Sequence, residues 1–303
     1  MARIVVLSAF GLTLWLYGPR AASVLAARFE SATKLSPAVT LDRVGFAERP
    51  AWMDTPLLLA VSAALSPWLA DEVPILDEEM ADRLREGLAT VPWVREAAIE
   101  RVFPDRFRLR LELRRPVLAV RDAAGKPLCL VDRRATMLPW VDTPLPVTVL
   151  HREGGAGTMS VAAGQTASDQ RVRAAAAITM EWQTELAPLV PDCPALLEVD
   201  ATNLGERWAV GPSYPEVRVK LRRNDGAGVI FAYDRPVDSP LPRVPVKTKA
   251  TVLGKILADH PGLKGLIAGD LRMSRRWAEW LQPRSGLRGD PAGPWRDLVP
   301  RGG

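Results

Sequence analysis

Polar and apolar residues alternate almost without fault from Arg106 to Arg114. Phe107, Leu109, Leu111 and Leu113 point one way, and Arg106, Arg108, Arg110, Glu112 and Arg114 point the other. A period of two predicts a strand with one face on a core and one in water. A strand containing Ile99 precedes it, and Phe103-Pro104-Asp105 supplies the turn, proline fixing φ and aspartate bonding to nearby backbone. Upstream the period becomes helical. Leu84, Leu88 and Val91 form one stripe of a helix over Asp77–Val91, which opens on Asp77, Glu78 and Glu79 and closes before Pro92. Thr55–Ala70 is a second, more apolar helix; Asp54 or Thr55 caps it, Pro56 takes its first position and Pro67 interrupts its apolar run. It reads as a helix buried against the sheet, with an interfacial membrane helix as the alternative. Leu41–Met53 alternates loosely and supplies an earlier strand. The order over residues 41–132 is therefore strand, helix, helix, strand, strand.

The second half reads as a separate unit. His151–Ser168 is rich in Gly, Ala and Ser and reads as a loop or linker. Asp169–Leu189 is a helix with Val172, Ala176, Ile178 and Leu186 on its stripe. Leu196–Val199, Trp208–Val210, Val217–Leu221 and Val229–Tyr233 are short strands, with Asn224-Asp225-Gly226 as a hairpin signal between the last two. Val246–Asp259 is a helix that turns Val252, Leu253, Ile256 and Leu257 to a core. From Gln282 onward Pro, Gly and Arg dominate, the signature of a disordered tail.

At the N-terminus, Ile4–Tyr17 is apolar, with Arg3 before it and Arg20 after. Fourteen helical residues cover about 21 Å, short of a hydrocarbon core of roughly 30 Å. Three readings stand: a short signal anchor whose helix continues through Ala21–Ala27, a signal peptide cleaved near Val24-Leu25-Ala26, or a buried helix.

The chain has 303 residues, enough for two modest domains and an extension, and its 48% hydrophobic content excludes disorder as the default. Its 27 prolines and 22 glycines point to many short elements joined by turns. A net charge of +5 is too small to argue for a nucleic acid, and no aromatic residues interleave with the Arg106–Arg114 arginines to stack on bases. Those arginines read as a solvated sheet face. Cys129 and Cys193 fit neither a metal cluster nor a disulfide scaffold, although they would be free to pair in an exported domain. No phosphate loop, dinucleotide fingerprint, H-E-x-x-H or G-x-S-x-G is present, and His151 and His260 lack partners at matched spacing. Trp93 and Trp140 read as core or junction residues. The expectation is therefore a non-enzymatic chain without cofactor, metal, nucleic acid or small-molecule substrate.

Several motifs narrow this reading. Pro92-Trp93-Val94, Ala97, Glu100-Arg101, Phe103-Pro104, Arg114-Arg115-Pro116-Val117 with Ala119, and Leu130-Val131-Asp132 follow one another at a spacing that resembles a POTRA domain. More narrowly, the run is similar to the POTRA of the FtsQ/DivIB family of bacterial cell-division proteins. Arg114 stands where that family usually has glutamate, and Arg133-Arg134-Ala135 where it has a glycine turn. Downstream, Leu145-Pro146-Val147 with Val149-Leu150 resembles the strand opening the family's β-domain. Asp270-Leu271-Arg272 resembles its C-terminal D-L-R-Y element, with Met273 in place of tyrosine.

The resemblance implies an α+β chain: a signal anchor over 1–28, a juxtamembrane linker over 29–40, a β-α-α-β-β POTRA domain over 41–120, a mixed β-domain with flanking helices over 121–281, and a tail over 282–303. It implies a single-pass inner-membrane protein of the division septum, the bulk of it extracytoplasmic, linking FtsB/FtsL-like bitopic proteins to the septal peptidoglycan synthesis machinery. Carried over by position, the strand that receives the FtsB-type partner falls on Met273, Ser274, Arg275, Arg276, Trp277 and Ala278, continuing to Trp280. Trp277 and Trp280 equally suit closure of a core. The other reading of a POTRA, in outer-membrane protein assembly or secretion, implies repeated units and a barrel.

Overall fold

The structure is a computed structural model and describes residues 38–39, 44–46, 52–69, 73–74, 78–102, 106–150, 160–206 and 214–283. The expected anchor, most of the linker, His151, the strand expected at Trp208–Val210 and the tail beyond Pro283 lie outside the described residues. No described helix is long and apolar enough to cross a membrane. Contacts divide the chain into two compact units, one ending at Leu113 and the other running on from Arg114 and taking in Asp54–Ala60. The result is a mixed α+β architecture with four described helices.

Up to Leu113 the elements are β1 (Ala38–Val39), β2 (Val44–Phe46), α1 (Thr55–Leu69), β3 (Val73–Pro74), α2 (Glu78–Thr90), β4 (Val94–Val102) and β5 (Arg106–Leu113). Apart from a two-residue β1–β3 ladder, this is the expected strand-helix-helix-strand-strand order. β5 lies in the middle of its sheet, parallel to β2 and antiparallel to β4. In α1 the Leu57 amide donates to Asp54 Oδ1 at 2.9 Å, and Leu57, Val61 and Leu65 are buried at fourfold spacing. The helix runs past Pro67 to Leu69, because a proline this close to the end costs only a final-turn bond. In α2, Leu84 and Leu88 are buried, as are Val91 and Trp93 just after it. Arg110 and Glu112 are exposed while Leu111 and Leu113 are half-buried, as the alternation requires. The arginine face is laced with carboxylates: Arg95 meets Glu112 at 2.5 Å and Arg110 meets Glu100 at 3.1 Å.

The larger unit holds β6 (Pro116–Asp122), β7 (Pro127–Asp132), β8 (Met137–Leu138), β9 (Val147–Leu150), α3 (Gln170–Glu181), β10 (Leu196–Asp200), β11 (Val217–Arg222), β12 (Gly228–Asp234), α4 (Val246–Asp259), β13 (Leu266–Asp270) and β14 (Gln282–Pro283). Its nine strands form one sheet in the order β14-β13-β12-β11-β10-β9-β6-β7-β8. β6 spans the domain boundary expected at residue 120 and is buried over five consecutive residues, as a strand covered on both faces must be. Two antiparallel meanders, β6-β7-β8 and β10-β11-β12, are joined by β9, which runs parallel to both β6 and β10. α3 packs across β6, β9 and β10 with Val172, Ala175, Ala176 and Ile178 buried, its alanines allowing close approach. Asp169 caps it, accepting the Arg171 amide at 2.8 Å. The helix expected to continue to Leu189 instead changes winding, to a π turn over Trp182–Leu186 and a 3₁₀ turn over Ala187–Leu189. The β11–β12 hairpin turns where Asn224-Asp225-Gly226 marks it, with Gly226 at φ +84°.

Three local departures have physical causes. Arg114, expected to continue the exposed arginine row, turns inward and meets Asp132 at 3.3 Å. Ala135, at the position of the family's turn glycine, adopts φ +57°, the left-handed conformation that glycine favours. Asp132 supports that turn, its Oδ1 accepting the amides of Arg134 and Thr136, each at 2.8 Å. Finally, Gln282 and Pro283, expected to open a disordered tail, form β14.

Candidate functional site: the C-terminal sheet edge

β13 ends in Asp270-Leu271-Arg272, and the geometry explains each residue. Asp270 is buried; its Oδ1 accepts the Arg272 amide at 2.8 Å, and Arg272 returns its guanidinium through Nε at 2.9 Å and a terminal nitrogen at 2.6 Å. Leu271 is fully buried. The element therefore locks the chain as it leaves the sheet. The Asp169-Gln170-Arg171 cap of α3 uses the same clamp. Asp270 also ends a row across four strands, Asp200, Arg218, Ala232 and Asp270. In that row burial pulls the Arg218 guanidinium down to about 10, with Asp200 opposing and Arg272 adding to the shift.

The segment expected to be the partner-binding strand is not a strand. Residues 272–276 make irregular turns and Trp277–Trp280 is a 3₁₀ turn. A ladder over these residues is incompatible with that winding. Ser274, Arg275, Arg276 and Ala278 are exposed and Met273 is half-buried. Trp277 packs partly against the core, whereas Trp280 stays 38% exposed. The two tryptophans thus divide the roles left open by the sequence, one closing the core and one facing outward. Arg276 and Glu279 lie 3.8 Å apart in an exposed pair of little energetic weight.

After this turn the chain returns to the sheet. β14 pairs antiparallel with β13 through Leu266–Pro283 and Ala268–Gln282, with an irregular register between the two. Leu281 leads into it over Gly269, where an added Cβ would come within 2.6 Å of Phe231 and 3.0 Å of Leu281. The bare glycine is what allows that approach.

The larger unit also holds a cluster that sequence reasoning missed. Glu181, at the end of α3, accepts the Tyr233 hydroxyl at 2.5 Å and meets Arg243 at 2.9 Å and Lys249 at 3.5 Å. Lys249 is completely buried on α4 and sits 3.9 Å from the centre of the Tyr233 ring. Burial opposes ionisation of Glu181, but Arg243, Tyr233 and Lys249 outweigh it and hold the carboxyl below its usual range. Burial pulls Lys249 down despite Glu181, and pushes Tyr233 up with Glu181 adding to the effect. The π turn begins at the next residue, Trp182, whose ring lies 6.2 Å from that of Tyr233. With Lys249 shut away from solvent, the arrangement joins α3, β12, the 235–245 loop and α4. The legible signal was a lysine on the apolar stripe of α4, at the spacing of Val252, Leu253 and Ile256.

Both cysteines are free, and burial pushes each thiol up to about 11, which makes them poor nucleophiles. His260 is half-buried at the end of α4, its amide donating to Ile256 O at 2.7 Å. Trp93 is a core residue, and Trp140 stacks under Arg121, 5.0 Å from the ring centre. Among the described residues no group of three His, Cys, Asp or Glu side chains is placed to hold a metal ion. Comparison with known proteins adds no identification: no family model matches the chain, and no curated protein matches it.

Proposed function

We propose that this chain is a non-enzymatic scaffold of the FtsQ/DivIB type, whose larger unit receives a strand from a small bitopic division protein at the β13–β14 edge. The observation that carries the reading is a nine-stranded sheet whose Asp270-Leu271-Arg272 element ends β13, beside the described edge strand β14. Such an edge recruits an extended segment through backbone hydrogen bonds, and an exposed tryptophan beside it serves as an anchor. The smaller unit supports the same reading: strand-helix-helix-strand-strand, with β2 parallel to β5, is compatible with a POTRA domain. In this reading residues 1–28 anchor the chain in the inner membrane, both units are extracytoplasmic, and the assembly connects an FtsB/FtsL-like pair to septal peptidoglycan synthesis.

The partner surface that fits the geometry is narrower than the residues carried over by position. Trp280, with the exposed Ser274, Arg275, Arg276 and Ala278, borders the edge, while Trp277 is spent partly on the core. Pull-down of the extracytoplasmic segment of an FtsB-type protein tests this. Trp280→Asp reduces recovery at least about tenfold, a loss of roughly 1.4 kcal/mol, in a protein whose circular dichroism is unchanged. Unchanged recovery with that fold intact removes the edge from the proposal. A fluorescent fusion in dividing cells tests the larger claim, which fails if the envelope signal shows no midcell enrichment.

A further inference from the structure

We propose that Leu241–Lys247 is a preformed polyproline II ligand, presented to another protein whose groove is lined by aromatic rings and flanked by carboxylates. This surface does not use the β13–β14 edge and stands or falls independently of it. The segment reads Leu241-Pro242-Arg243-Val244-Pro245-Val246-Lys247. Proline fixes φ at about −65°, and the residue before a proline is pushed to extended backbone. Residues 241, 242, 244 and 245 are therefore all confined towards the polyproline II region, and Pro245 lies in it, at φ −57° and ψ 143°. That helix repeats about every three residues. Pro242 and Pro245 thus share one edge of a three-sided prism, Leu241 and Val244 the second, and Arg243 takes the third.

The three edges have different surroundings. Arg243 is rooted in the protein, its two terminal nitrogens meeting Glu181 at 2.9 and 3.0 Å. Leu241 is 53% exposed, Pro242 and Pro245 are exposed with it, and Val244 is half-buried. A groove that grips two edges of the prism therefore finds them outside, while the edge it does not need is the one tied down. The neck of the loop is braced as well. Arg235 donates to Pro242 O at 3.1 Å, Arg243 Nε donates to Arg235 O at 3.2 Å, and the Val244 amide donates to Asp234 Oδ2 at 2.5 Å. The ligand is ordered before it binds, which lowers the entropic cost of docking. Lys247 supplies the charge. It is exposed in the first turn of α4, which holds no acidic residue, so it faces the positive end of the helix dipole and gains from a carboxylate on the partner.

The test titrates the full chain into a panel of purified SH3-type domains, whose groove tryptophan reports occupancy by its fluorescence. The expected result is saturable binding by at least one domain, weakened at least about tenfold by Leu241→Asp and also by Lys247→Glu. Both side chains are exposed, so each variant keeps the circular dichroism of the parent. Should Leu241→Asp not fold, Pro242→Ala takes its place, with the same loss expected. No saturable binding by any domain overturns the proposal. Binding that both variants leave unchanged overturns it too, because the contact then lies outside residues 241–247. A loss confined to Lys247→Glu means charge attraction without recognition of the polyproline edges, and likewise overturns it.

Discussion

Among the described residues the nine-stranded sheet ends in β8 on one side and β14 on the other, and the two ends are held in different ways. At β8 the edge is closed by the chain's own backbone: Met137 donates to Gln165 O at 2.8 Å and accepts from Gly164 at 2.7 Å, and Ala167 donates to Ala135 O at 2.8 Å. Met137, Leu138 and Ala167 are all buried there. At β14 the pairing is irregular, one of the residues is proline, and the neighbouring Trp280 remains open to solvent. An unpaired edge invites association, and folded proteins cover the edges they do not use. Among the described residues, then, one edge is tied down by the chain's own backbone and the other carries an irregular pairing beside an exposed tryptophan.

Four measurements break or sharpen that contrast. The largest effect is expected at the Glu181 cluster, where Glu181→Gln leaves the buried Lys249 and the half-buried Arg243 without their carboxylate. It lowers stability by about 3–5 kcal/mol in urea denaturation. If the loss is below about 1 kcal/mol, the cluster does not hold α3, β12 and α4 together. At the closed edge, Met137→Ala costs about 2–5 kcal/mol, because a buried side chain is lost and a cavity remains. Trp280→Ala at the other edge stays within about 0.5 kcal/mol, as an exposed residue should. Equal losses for these two would erase the contrast.

Next, Gly269→Ala forces Phe231 and Leu281 apart and costs about 1–3 kcal/mol. The loss is accompanied by faster hydrogen exchange in β13 and not in β7. The last effect has the opposite sign. Ala135→Gly relieves a left-handed alanine beside the closed edge and raises stability by about 1 kcal/mol, read as an upward shift of the urea midpoint.

Acid provides a further check on the cluster. The Glu181 carboxyl lies below its ordinary value of 4.5 when folded, so the unfolded chain binds the proton more readily. The stability it contributes is therefore complete above that value and is lost as the pH falls through the folded one. Glu181→Gln flattens this part of the acid profile.

Much of the fold was legible because periodicity is set by burial. The Arg106–Arg114 alternation, the α4 stripe and the Gly226 hairpin each reflect a face or a turn that only one local geometry satisfies. Less legible were features that depend on remote partners. Lys249 occupies an apolar stripe, and only a carboxylate from Glu181, far away in sequence, makes that tolerable. Arg114 sits at the end of an alternating run, but Asp132 turns it inward. The expected partner strand at 273–278 fails for a related reason. The Asp270–Arg272 clamp bends the chain away from the sheet, and the ladder resumes only at Gln282.

β9 has a consequence for how the larger unit assembles. Each meander forms by local hairpin closures, but β9 must find parallel partners on both sides, along four residues of β6 and at a single position of β10, Glu198 opposite Val147. Parallel pairings close long loops and form slowly. The two meanders are thus natural early folding units and α3, lying over β9, is the clasp that joins them late. In refolding followed by pulsed hydrogen exchange, the β6–β7 and β11–β12 amides gain protection before those of β9 and α3.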